Sequence, residues 1–301
     1  MFKFPLKAYA IKGLAFFSVL RAYNIALIIL AQYLCSIFIL APDKPLRELI
    51  LDVDLALLVL ATAAVIGGGY IINSFYDAEK DLINKPMKSM LDRHISQRAK
   101  ITAYFVLNFT AVFVASAVSF RAVLFFSAYI FGIWLYSHKL KKIPFIGNFT
   151  AACLAITPFF TVFVYYKNID TVIFVHAAFL FLLILARDMI KDLENLAGDL
   201  TQDYHTVAVR YGVSFSKGCI SGLLFLAALP SIALIYYFDI GLMHYYFAGA
   251  FLLMLLTAIS TWFARTKAHY VWLHNLLKFV ILAGVFGILL IKPALFLGRL
   301  F

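Results

Sequence analysis

The stretch from Leu55 to Ile72 carries no charged side chain, and Phe174 to Ala186 carries none either. Runs of this kind admit few folds, because a helix needs about 20 mostly apolar residues to cross a bilayer. Reading the chain for them places spans near 22–41, 51–73, 101–119, 121–136, 148–166, 171–188, 217–238, 243–264 and 271–291. Nine spans consume roughly 180 residues, so a chain of 301 residues has no room for a large soluble domain. Strands of a membrane barrel would instead alternate apolar and polar residues. Composition agrees: 64% of residues are apolar or aromatic, 14% are charged and the mean hydropathy is +0.94, against about 45–50% and about 25% in a soluble domain. The expected fold class is an all-α polytopic membrane protein, one membrane-embedded domain over 1–301.

A net charge of +11 would point to nucleic acid in a soluble protein, but here it has first to be sorted by side. The N-terminal segment (Lys3, Lys7, Lys12, Arg21) and the loops after spans 2, 4, 6 and 8 hold 19 of the 26 Lys and Arg. The opposite side holds Lys44, Arg47, Arg121, Lys167, Lys292 and Arg299, and Lys278 lies within the ninth span. Positive-inside bias therefore sets the N-terminus in the cytoplasm and, with an odd number of spans, the C-terminus outside. The excess charge is accounted for by topology, and no nucleic-acid partner is expected. The first apolar stretch, Gly13 to Leu20, is short and no small-residue cleavage site follows, so the N-terminal segment is expected to stay as a lead-in to the first span.

Cys35, Cys153 and Cys219 fall inside apolar runs at no metal-ligand spacing, and the seven histidines form no ligand cluster. Zinc is not expected. Gly67, Gly68 and Gly69 allow close helix approach, and Pro158 and Pro230 fall within spans, where a kink is expected.

Two connections on the cytoplasmic side, Ser74 to Lys100 and Arg187 to Ser216, are much longer than the rest. The first follows Asn73-Ser-Phe-Tyr-Asp77-Ala-Glu-Lys-Asp81. At about 100° per residue, Asn73, Asp77 and Asp81 share one helical face, and Glu79 points away. The second opens Arg187-Asp188-Met-Ile-Lys191-Asp192-Leu-Glu-Asn195-Leu-Ala-Gly-Asp199. Asp188, Asp192, Asn195 and Asp199 form a similar stripe, provided the helix continues past Gly198. Like charges at this spacing repel, so a cation should offset them. Hard oxygen ligands suit Mg²⁺, which binds through one or two carboxylates plus substrate phosphates. Both stripes end apolar helices on one membrane face, so together they suit two metal ions on one diphosphate. Arg21 and Asn24 at the start of span 1, and Tyr136-Ser-His-Lys-Leu-Lys141-Lys142 after span 4, lie on the same side. Such cations serve either a diphosphate or topology and lipid headgroups.

These residues resemble the UbiA-type intramembrane prenyltransferases. NSFYDAEKD with NKPMKS is similar to that family's first signature, RDMIKDLENLAGD with HTVAVRYG to its second, YSHKLKKIPFIGN to the stretch between them, and RAYN to an element of the first helix. The likeness runs in order from Arg21 to Gly212. It implies a helical bundle around a membrane-embedded cavity, Mg²⁺ as cofactor, and a prenyl diphosphate and a lipophilic acceptor as partners alongside membrane lipid. It also implies site roles: Asn73, Asp77 and Asp81 at a first metal position; Asp192 and Asp199 at a second, with Asp188 and Asn195 beside them; Arg21, Lys141 and Lys191 on the leaving diphosphate; and Tyr136 near the reacting allyl group. Asn24 belongs to the same basic, diphosphate-facing set.

Three positions depart from the family pattern. Ser74 and Asn195 stand where Asp is usual, and Lys88 where Arg is usual. The form of the second motif is most similar to the branch that alkylates geranylgeranylglycerol phosphate in ether-lipid synthesis. An aromatic quinone precursor is the alternative acceptor, and a membrane transporter the non-enzyme alternative, since intramembrane carboxylates also mark ion pathways. The pattern of the CDP-alcohol phosphotransferases is absent.

Overall fold

The computed structural model describes residues 6–292, with side chains from Gly13 onward. Lys3 and Arg299 and the side chains of Lys7 and Lys12, sorted by side above, lie outside the described residues. A helix, α1 (Leu6–Leu20), precedes the spans. Among the described residues there is no strand, and nine helices are long and apolar enough to cross a membrane: α2 (Ala22–Leu40), α3 (Val53–Tyr76), α4 (Gln97–Val118), α5 (Phe120–His138), α6 (Ile146–Tyr166), α7 (Thr171–Glu194), α8 (Val213–Tyr237), α9 (Met243–Phe263) and α10 (Lys267–Leu290). The protein is an integral, multi-pass membrane protein, and all nine expected spans are present.

The span ends differ from expectation where polar residues begin. The second and sixth spans were expected to stop near 73 and 188, yet α3 reaches Tyr76 and α7 reaches Glu194. Shorter helices then follow, Ala78–Asn84, Pro86–Asp92, Leu196–Thr201 and Val207–Tyr211. Hydropathy marks where a helix leaves lipid, not where its backbone ladder stops, and the ladder runs on through both polar motifs. At the starts of α4, α5, α7 and α10 a side-chain cap explains the boundary. Ser96 Oγ accepts from Ala99 N (3.2 Å) and Asp170 Oδ1 from Val172 N (3.2 Å), each satisfying a first-turn N–H with no carbonyl of its own helix to meet.

The chain divides into two compact units, Met1–Leu30 with Ala56–Lys139, and Ala31–Leu55 with Leu140–Phe301. In the first, the glycine triplet of α3 lets neighbours sit directly on the backbone. A methyl at Gly67 would lie 3.3 Å from Leu20, at Gly68 3.0 Å from the Asn108 amide, and at Gly69 3.0 Å from Ile133. The expected close approach is therefore made, to α1, α4 and α5.

In the second unit α7 is the central helix, packed against α6, α8 and α10, and α9 packs on α8 and α10. Gln32 Nε2, itself buried, donates to the carbonyl of Pro158 within α6 (2.9 Å). Lys217 Nζ donates to Ala264 O (2.6 Å) and Trp262 O (3.3 Å), closing the C-terminus of α9, where a cation meets the negative end of the helix dipole. At the far ends of these helices Asp52 accepts from Tyr165 Oη (2.8 and 3.0 Å) and from Leu55 N (3.1 Å).

Candidate active site

The first acidic motif stands on the polar extension of α3. Asp77 follows the last residue of α3 at φ −90°, ψ 4°, in the sparsely populated bridge region of the backbone map where active-site residues recur. The ladder nevertheless runs through it: Asp77 N donates to Asn73 O (2.9 Å) and Asp81 N to Asp77 O (2.8 Å). Asn73, Asp77 and Asp81 thus keep the one-face spacing expected, while Glu79 is exposed. Asn73 Nδ2 donates to Asp77 Oδ2 (2.8 Å), and Asp77 is only 8% exposed. Asp81 lies between two ammonium groups, Lys85 at 3.8 Å and Lys88 at 3.9 Å, and Lys88 also reaches Asp92 at 3.7 Å. Lys88 therefore meets two carboxylates as a point charge, without the bidentate fork that an arginine would offer.

Arg21 and Asn24 come together on a residue the sequence did not single out. The Arg21 guanidinium sits 5.0 Å from the centroid of the Tyr70 ring, and Asn24 Nδ2 donates to Tyr70 Oη (3.3 Å). Tyr70 precedes Asn73 by three residues on α3, so it shares the face of the motif. Arg21 has φ 49°, the left-handed region that costs a non-glycine residue about 1–2 kcal/mol. It forms the joint between α1 and α2. Tyr136 lies half-buried on the last turns of α5.

The second motif has the same backbone device. Asn195 follows α7 at φ −97°, ψ 7°, Asn195 N donates to Lys191 O (3.0 Å) and Asp199 N to Asn195 O (3.1 Å). The helix bends at Asn195 but its spacing survives past Gly198, as the stripe requires. Asp199 is fully buried and Asn195 3% exposed.

The neighbours of this stripe come from distant sequence. Asn148 Nδ2, on the first turn of α6, donates to both Asp188 Oδ2 (3.1 Å) and Asp192 Oδ2 (2.7 Å). Lys191 Nζ pairs with Asp188 Oδ1 at 3.2 Å. On its charged flank α7 is tied to α10, with Arg187 Nη2 3.2 Å from His274 Nε2 and His274 Nδ1 3.0 Å from Glu194 Oε2. Lys141 is 8% exposed and sits in a 3₁₀ turn, Leu140–Lys142, pressed against Gly147. A methyl there would meet Leu140 O at 3.0 Å and Lys141 O at 3.1 Å. Tyr70, Asn148, Gly147 and His274 are contributors missed by sequence reasoning; Gly147 and Asn148 lay inside the quoted YSHKLKKIPFIGN stretch, which was the available signal.

Among the described residues no three carboxylate, histidine or cysteine side chains converge into a closed metal cage. The donor set nonetheless fits Mg²⁺, being entirely oxygen and paired rather than caged, since that ion commonly takes one or two carboxylates and completes its shell with phosphate and water.

A sequence profile of the UbiA prenyltransferase family matches residues 29–279. This chain belongs to that family. Within it, the chain is 33% identical over 151 residues to a digeranylgeranylglyceryl phosphate synthase of Thermococcus sibiricus, covering 50% of this chain and 53% of that one. It is 29% identical over 209 residues to the protein of the same name from Methanobrevibacter smithii, covering 66% and 69%. The chain thus spans about half the length of the first of these relatives. Among solved UbiA folds, one described as digeranylgeranylglyceryl phosphate synthase in membranes superposes with a TM-score of 0.70 at 20% identity, over 94% of this chain and 99% of that one. A UbiA homologue from Archaeoglobus fulgidus bound to GPP and Mg²⁺ gives 0.65 at 14% identity, over 91% and 99%.

Proposed function

We propose that this protein is a prenyltransferase of ether-lipid synthesis, moving a geranylgeranyl group from its diphosphate to geranylgeranylglycerol phosphate. The observation that carries the reading is the second motif. Asp188 and Asp192 are held side by side on one amide of Asn148, with Lys191 alongside, in a chain whose named relatives are digeranylgeranylglyceryl phosphate synthases.

In this reading the chain works as one domain with its acidic motifs on the cytoplasmic face. Asn73, Asp77 and Asp81 in one motif, and Asp188, Asp192, Asn195 and Asp199 in the other, hold Mg²⁺. The bound metal supplies charge stabilisation to the departing diphosphate oxygen. Arg21, Asn24, Lys141 and Lys191 bind the remaining diphosphate oxygens and orient the C–O bond for cleavage. Tyr136 and apolar helix walls face the allylic cation and exclude water that would capture it. The C–O bond to diphosphate having broken, the acceptor hydroxyl forms the new C–O bond at the allylic carbon, its proton passes to the released diphosphate, and the protonated diphosphate leaves.

The test is turnover of radiolabelled geranylgeranyl diphosphate by the protein purified in detergent, with Mg²⁺ and a panel of acceptors. Transfer to geranylgeranylglycerol phosphate is expected, with loss of turnover in Asp77→Ala and Asp192→Ala. Transfer to an aromatic acceptor instead reassigns the acceptor. No transfer to any acceptor, or unchanged turnover in both variants, overturns the proposal.

A further inference from the structure

The segment after the second motif carries a buried aromatic side chain for which the reaction above has no use. Tyr204 is 3% exposed. Its ring centroid lies 5.0 Å from Lys142 Nζ and 5.8 Å from Lys141 Nζ. Its backbone N–H donates to Asp199 O (3.0 Å), and the next residue's, that of His205, to Lys142 O (3.0 Å). Two consecutive residues thus join the 3₁₀ turn carrying Lys141 to the short helix carrying Asp199, elements about sixty residues apart in sequence.

Electrostatics explains why an aromatic ring belongs there. Two ammonium groups gathered within 6 Å of one point repel each other, and a flexible lysine stem relieves that repulsion by swinging outward. The negative face of an aromatic ring attracts both charges. An aliphatic side chain would fill the space and leave the repulsion in place. Lys142 is exposed, with water to solvate its charge, whereas Lys141 is buried, and the ring is one of the groups that face it.

We infer that Tyr204 is a positioning residue for diphosphate recognition: its ring holds the Lys141 ammonium ready for the anion, while its backbone N–H and that of His205 tie the lysine turn to Asp199. The inference rests on the reading above in which Lys141 meets the diphosphate. Holding the lysine in advance reduces the ordering that binding would otherwise require. The effect therefore belongs in affinity for the diphosphate rather than in the chemical step.

The experiment measures the Kd of geranylgeranyl thiodiphosphate, an unreactive analogue, by calorimetry with Mg²⁺ in detergent, together with KM and kcat. Tyr204→Leu should raise Kd and KM by about 5–30-fold, with kcat nearly unchanged, and Tyr204→Phe should bind as the parent does. Lys141→Met must weaken binding in its own right. If it does not, the diphosphate role of Lys141 fails and the premise with it. If Lys141→Met weakens binding and Tyr204→Leu does not, the inference about Tyr204 is overturned while the diphosphate reading stands. A Phe variant as weak as the Leu variant also overturns it, since the hydroxyl and not the ring would then matter. Should Tyr204→Leu not fold, phenylalanines of increasing fluorine content at 204 keep the shape and weaken the ring's negative face; Kd rising stepwise supports the inference, and a flat series ends it.

Discussion

The two acidic motifs share a backbone plan and differ in how their charge is managed. Each hangs on a helix that bends at a bridge-region residue, Asp77 in one and Asn195 in the other, with ladder hydrogen bonds carried across the bend. In the first, Asp81 is offset by Lys85 and Lys88 and Asp77 by Asn73, all within seven residues of the carboxylate they serve. In the second, Lys191 pairs with Asp188, but Asp188 and Asp192 take their common donor from Asn148, 40 and 44 residues away. The first cluster is neutralised within its own segment; the second adds to one local ion pair a shared donor that only tertiary packing brings to it.

The largest expected difference between the two motifs is one of sign. Asp81→Asn and Asp192→Asn should each lower turnover by about 10²–10³-fold. In metal-free protein, however, their thermal midpoints should move in opposite directions. Asp81→Asn discards two lysine pairings and lowers Tm, whereas Asp192→Asn removes one of two carboxylates sharing the Asn148 amide, keeps an oxygen for that amide, and raises it. Shifts of the same sign would remove the distinction between the motifs.

Next in size, Asn148→Ala strips the shared donor from Asp188 and Asp192 and should reduce apparent Mg²⁺ affinity by about 10–100-fold, the usual consequence of losing a partner that orients metal ligands. A Mg²⁺ titration of turnover measures this, and an unchanged half-saturation would show that the amide is incidental. Glycines give a smaller contrast. Gly147→Ala drives a methyl into the backbone of Leu140 and Lys141 and should cost about 1–3 kcal/mol. Gly68→Ala meets only the end of the Asn108 side chain and gains up to about 1 kcal/mol of helix propensity, leaving stability near parental; detergent melting curves compare the two. The smallest effect is expected from Lys85→Gln, a partly exposed pair at 3.8 Å, worth less than about 1 kcal/mol and detectable only by the same melts at low salt.

What could be read in advance follows from the same contrast. Spans, the glycine triplet and both stripes are periodic features, so apolar runs and 100° steps expose them. Asp77 and Asp81 fall into this class because their partners lie within a turn or two. Asn148 beneath Asp188 and Asp192, Tyr70 beneath Arg21 and Tyr204 beneath Lys141 are pairings between different elements, and no period within one element encodes them. The polar ends of α3 and α7 were missed for a related reason: hydropathy registers the lipid boundary, and the hydrogen-bond ladder continues beyond it.

The left-handed backbone at Arg21 sets two demands on one position. Its conformation favours glycine or asparagine, whereas the pairing with Tyr70 needs a cation. Directed evolution scored on heat tolerance alone would therefore be expected to drift toward glycine at 21, enriching hardy proteins stripped of a guanidinium. Any campaign to make this chain easier to purify or crystallise should hold that codon fixed.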